Sequence, residues 1–108
     1  MTPEHRLGNA IRVECGRRGW LVWHVNVGTV VTATGEVFST GLPVGFPDLL
    51  VLRPGPLPDG GRVLFIETKI HPRRPTADQL AMHALLHSRG FEVIVAYSVA
   101  DVFPASGV

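Results

Sequence analysis

Two apolar runs, DLLVLR and RVLFIETK, flank a block of turn-forming residues, PGPLPDGG, that extends from Pro54 to Gly61. Both runs read as buried β-strands, and the block between them as the turn of an antiparallel pair. The midpoint of that block is the Leu57–Pro58 bond. Strands that pair about this point bring residue 48 opposite residue 67. Asp48 and Glu67 are then neighbours at the open end of the ribbon, and Lys69, two residues on, points to the same face as Glu67. Buried strands ordinarily avoid charge, because an uncompensated buried ion costs several kcal/mol. Two adjacent carboxylates also repel unless a cation lies between them.

Carboxylate and carbonyl oxygens are the donors that hard divalent ions such as Mg²⁺ prefer, with several waters retained. An ion held there can activate a water and stabilise charge on a phosphate under attack. An ammonium beside it can neutralise developing negative charge or orient the nucleophile. Of the ten basic residues only Lys69 is a lysine. A guanidinium forks and stays charged, whereas an ammonium is a compact point charge.

The remaining chain sets the frame. Its 108 residues fit a single domain, 1–108. A formal net charge of +1 is not that of a protein that coats nucleic acid without specificity. Cys15, the lone cysteine, excludes an internal disulfide and a multi-cysteine zinc cage. No segment is long and apolar enough to cross a bilayer, and the N-terminus does not read as a signal peptide, so a cytoplasmic location is expected.

Thr2 and Pro3 start a helix whose inner stripe is Leu7, Ile11 and Cys15, ending at Gly16 or Gly19. WLVWHVNV is a strand, and TVVTATGEVFST a hairpin turning at Thr34-Gly35. TADQLAMHALLHSRG is a second helix with Thr76 as N-cap and Gly90 as its stop, and FEVIVAYS a last strand. The tail after Asp101 is weakly patterned. The order helix, three strands, helix, strand, plus a hairpin, describes an α/β domain with a mixed sheet flanked by helices.

Pro47-Asp48, a strand, and then Glu67-Thr68-Lys69 resemble the PD-(D/E)XK nuclease superfamily. More closely, the chain resembles the small stand-alone VRR-NUC domains of phages and bacteria. The likeness lies in Glu4, NVG at 26–28, GLPVGFPDL at 41–49, FIETK at 65–69 and Thr76-x-x-Gln79, and covers roughly residues 3–101. Two departures stand out: Thr68 replaces the more usual Val or Leu, and KIHPRRPT replaces a Gly-containing linker. The resemblance implies a restriction-endonuclease-like fold and Asp48, Glu67 and the backbone carbonyl of Thr68 as ligands of Mg²⁺, for which Mn²⁺ can substitute. It further implies Lys69 as the catalytic lysine, Gln79 reaching the site from its helix, and Glu4 adding a carboxylate. A homodimer that cuts branched DNA, such as four-way (Holliday) junctions, is the implied assembly and activity. The alternative is a non-catalytic nucleic-acid-binding or assembly module that retains the fold.

Each residue also has a plainer reading. Asp48 fits an ordinary turn after Pro47, and Glu67 with Lys69 a same-face ion pair. Gln79 completes a capping box with Thr76, and Glu4 suits the positive end of a helix dipole. His83 and His87 read as helix-surface residues, and His24 as a core residue. Arg17 with Arg18, and Arg73 with Arg74, are two exposed basic pairs; the second follows the lysine and is the candidate for phosphate contact. Asn26 and Gly28 fit either a tight turn or the approach to the site. Val30, Val31, Val37 and Phe38 give the hairpin more apolar surface than water normally meets, which points to a partner surface.

Overall fold

The computed structural model describes residues 1–25, 27 and 29–104, so Asn26 and Gly28 lie outside the described residues. Its elements run α1 (Pro3–Arg17), β1 (Leu21–His24), β2 (Thr29–Val31), β3 (Val37–Ser39), β4 (Leu49–Arg53), β5 (Arg62–Thr68), α2 (Ala77–Ser88), β6 (Glu92–Ala96) and α3 (Val99–Val102). One mixed sheet has the order β1-β4-β5-β6, and β2 pairs with β3 as a separate ribbon. β4 is antiparallel to both β1 and β5, whereas β5 and β6 are parallel. Parallel neighbours need a crossover, and α2 supplies it. This is the helix-flanked mixed sheet expected from the sequence.

The β4–β5 register runs from Leu49 opposite Ile66 to Arg53 opposite Arg62. One further step at the open end brings Asp48 to Glu67. Phase along β5 then decides what each side chain meets. Leu64 and Ile66 join a core built with Ile11 and Cys15 of α1, Leu49 and Val51 of β4, and Val102 and Phe103 beyond β6. Phe65 points the other way, edge-on to Phe46 and Phe91 with ring centroids 5.5 and 6.2 Å apart. Glu67 shares the Phe65 face, towards α2.

The helix starts behave as the residues suggest. The Thr2 hydroxyl accepts the His5 N–H at 3.1 Å, and Ile11 and Cys15 of the inner stripe are fully buried. Beyond β6 the structure adds an element that the sequence reading did not contain. Ser98 and Asp101 cap a single turn, α3, with the Asp101 carboxylate accepting from the N–H groups of Tyr97 and Ser98 at 2.8 and 3.2 Å. Val102 and Phe103 then close the core, Phe103 lying 5.1 Å from Trp20. His24 also departs from its reading as a core residue. It ends an edge strand, beyond the cover of the core, and is exposed.

The ribbon turns as expected at Gly35, whose φ of 87° is one that other residues rarely adopt. It packs as a separate unit, leaving Val31, Val37 and Phe38 half or more exposed.

Gly45 ties the loop before β4 to α2. Its φ is 94°, and a Cβ placed on it would lie 2.5 Å from the backbone oxygen of Asp78. Gly35 has a similar φ but open space around it. Gly35→Ala should therefore cost only the left-handed strain of about 1–2 kcal/mol. Gly45→Ala should cost more than Gly35→Ala, because the start of α2 must move as well. Urea unfolding of both variants checks the order.

Candidate active site

The end of β5 and the residue after it are three consecutive buried polar residues, Glu67, Thr68 and Lys69. Asp48, just before β4, reaches across to them. Its Oδ2 accepts the Thr68 N–H and the Thr68 hydroxyl, both at 2.9 Å. The threonine that departs from the resembled pattern thus has a use: its hydroxyl holds Asp48. A strand residue turns its N–H and C=O towards the same neighbour. The Thr68 carbonyl accordingly faces the Asp48 side, while the Lys69 N–H bonds the Ala96 carbonyl at 2.9 Å on the other.

Gln79 combines two roles that the sequence set in competition. Its Oε1 accepts the Thr76 N–H at 2.9 Å, and its own N–H bonds the Thr76 hydroxyl at 3.2 Å, which completes the capping box. Its Nε2 meanwhile donates to Glu67 Oε2 at 3.1 Å. One amide spans the helix start and the carboxyl because its two ends have opposite polarity.

His83 was missed. It is one turn beyond Gln79 on the same face of α2, only 12% of its side chain is exposed, and its Nε2 lies 3.5 Å from Glu67 Oε1. The i, i+4 spacing from Gln79 was the available signal. His87, in contrast, is exposed as expected.

The electrostatics follow from burial. Glu67 is pushed from its ordinary value near 4.5 up to about 9, first by desolvation, then by the Asp48 charge and a hydrogen bond to the Asp48 carboxyl. Lys69 pulls it down and Glu4 adds a small push upward. Near neutral pH the carboxyl pair therefore holds a proton. Burial lowers the His83 pKa; the Asp48 charge opposes this, and Lys69 reinforces it.

Glu4, in the first turn of α1, is half-buried and lines a cavity of about 580 Å³ together with Asp48 and Thr68. Lys69 is buried at 8% exposure, and the ion pairs among the described residues do not include it. The same-face ion-pair reading of Glu67 and Lys69 is thus not what forms. Arg17 and Arg18 both engage Glu14, the latter at 2.9 Å. Arg73 and Arg74 are exposed on the turn after Lys69, held by the Tyr97 hydroxyl donating to the Arg73 carbonyl at 3.0 Å.

Among the described residues no three His, Cys, Asp or Glu side chains form a metal cage. The donors that do converge are two carboxyls and a strand-end carbonyl. That oxygen set, left to be completed by water, suits Mg²⁺ better than zinc.

No protein-family model and no curated protein matches the chain. A solved structure of a "VRR_NUC domain" is similar to it at TM-score 0.66 and 29% identity, covering 94% of this chain and 91% of that one. The resemblance read from the sequence is borne out over nearly the whole of both chains, and with it the restriction-endonuclease-like fold.

The Glu67 shift has a measurable sign. Between pH 4.5 and about 9 the folded protein keeps a proton on Glu67 that the unfolded chain has lost. Stability from this group is therefore present at low pH and declines as pH rises through that window. Metal-free Glu67→Gln should lack this decline and be the more stable protein, relative to wild type, at pH 8 than at pH 5. Thermal melts in chelator across that range check it.

Proposed function

We propose that the chain is a metal-dependent DNA endonuclease that hydrolyses phosphodiester bonds. The observation that carries this reading is the Asp48–Glu67 pair, a half-buried carboxyl beside a fully buried one, held by Thr68 and Gln79. Such a pair costs stability without a cation, and a module that only binds nucleic acid has no use for it. The likeness to a VRR-NUC domain supports a nuclease.

Asp48, Glu67 and the Thr68 carbonyl would hold Mg²⁺ or Mn²⁺, with Glu4 contributing a carboxylate from α1. When bound, the ion supplies a Lewis acid for the phosphoryl oxygen and lowers the pKa of a water. The residues do the rest. Glu67 would release its proton to solvent on binding the ion, so binding would strengthen with pH. Gln79 keeps the Glu67 carboxyl in one orientation, and Thr68 does the same for Asp48. Lys69, buried with no carboxylate partner among the described residues, neutralises charge on the phosphate or orients the nucleophile. Arg73 and Arg74 contact flanking phosphates.

Branched DNA such as a four-way junction is the proposed substrate, cut by a homodimer. The exposed Val31, Val37 and Phe38 of the hairpin support the dimer, since a second copy would cover them. Two sites about a two-fold axis match a two-fold symmetric substrate.

Labelled linear, flap, fork and four-way DNA, each incubated with Mg²⁺ or Mn²⁺, tests the activity. Asp48→Asn keeps an acceptor for Thr68 and removes the charge; it should lose about a thousandfold in turnover, equivalent to several kcal/mol of transition-state stabilisation. Lys69→Arg should be nearly inactive as well, because a fork does not replace a compact ammonium at a buried position. Near-normal turnover in either variant would return its residue to a structural role.

A further inference from the structure

Cavities lie on both sides of Glu4, and Asp48 lines the first of them. The one of about 580 Å³ passes from Asp48 and Glu4 along α1, where Asn9 and Arg12 line it, to His24 at the end of β1. On the far side of Glu4 a cavity of about 330 Å³ reaches Arg73 and His71. A third, of about 540 Å³, continues from His71 to Arg74 and Tyr97. Consecutive cavities share walls, Thr2 and Glu4 between the first two and His71 and Pro72 between the last two. These shared walls make the three cavities neighbours in a row, which we read as one groove. Glu4 and Asp48 are the acids that line it, and they lie in its middle with cations towards both ends.

That charge order suits a polyanion crossing a metal site. From Glu4 to Arg12 is eight residues, or about 12 Å of helix axis. A DNA strand advances about 3.4 Å per nucleotide, so this arm accommodates about three to four nucleotides.

The other arm holds an aromatic platform. His71 stacks on Tyr97 with ring centroids 4.1 Å apart and planes 15° from parallel. His71 is the more exposed of the two, and the Tyr97 hydroxyl pins the adjoining turn through the Arg73 carbonyl. A base that has left the duplex can extend such a stack, whereas a base inside a duplex has no free face to offer.

We propose that one DNA strand lies along this groove, its backbone against Arg12 and His24 on one side of the acidic pair and an unpaired base stacked on His71 on the other. The proposal rests on the nuclease reading and narrows its branched substrates to DNA with an unpaired nucleotide beside the bond that is cut, as in a flap, a fork, or a four-way junction with a base opened at the crossover.

Fluorescence anisotropy tests it with a labelled duplex carrying a single-stranded tail and the matching blunt duplex, both in Ca²⁺, followed by cleavage assays in Mg²⁺ and Mn²⁺. Wild type should prefer the tailed DNA by about tenfold. His71→Ala should lose that preference and keep its affinity for the blunt duplex. Arg12→Gln should weaken both and reduce the slope of log affinity against log salt by about one. Both side chains are exposed, so both variants should melt with wild type. A His71→Ala protein that keeps the preference, or an Arg12→Gln protein with an unchanged slope, would overturn the groove even if wild type cuts DNA. These binding effects in a wild-type protein that cuts nothing would support the groove and sink the nuclease reading.

Discussion

A buried carboxyl held next to a half-buried one imposes the main constraint on this structure. Asp48 and Glu67 lie one register step past the last paired residues of β4 and β5, where β4 begins while β5 runs on beside β6. Burial and mutual repulsion lift Glu67 to about 9, so the pair keeps a proton near neutral pH. A proton is the smallest cation that resolves the repulsion, and a divalent ion is the other that two carboxyls can take. On the proposed reading, the site exchanges one for the other.

The surroundings keep that exchange local. Thr68 fastens Asp48 with two hydrogen bonds, and Gln79 fastens Glu67 while closing the cap of its own helix. The start of α2 is in turn seated on Gly45, in the loop that leads to Asp48. Loop, helix start and strand end therefore form a closed mechanical loop around the two carboxyls. Thr68 and Gln79 are the donors in these bonds, so the bonds do not depend on the proton; the proposed catalysis by positioned charge requires that kind of preorganisation.

Much of this was legible in the sequence because it depends on local arithmetic. The midpoint of the turn block set the β4–β5 register, and that register alone brings Asp48 to Glu67. Hairpin and helix caps were readable from Gly35, Thr2 and Thr76 for the same reason. What escaped depends on distant packing. One turn of helix, α3, is too short to show a period, and its value lies in Phe103 meeting Trp20, more than eighty residues away in the chain. His83 looked like surface because its burial comes from β5, a different element. His24 looked like core because its strand is apolar, yet that strand is an edge. Gln79 could not be assigned by spacing, since one spacing served both roles.

Calorimetric titration of the protein with Mn²⁺ or Mg²⁺, in buffers of differing ionisation enthalpy at pH 7, addresses the exchange directly. The observable is the number of protons released per ion bound. About one proton per ion, absent in Glu67→Gln, is the expected result. Binding without proton release, or no binding that depends on Asp48 and Glu67, would contradict the claim that this carboxyl pair is a metal site held in its protonated form.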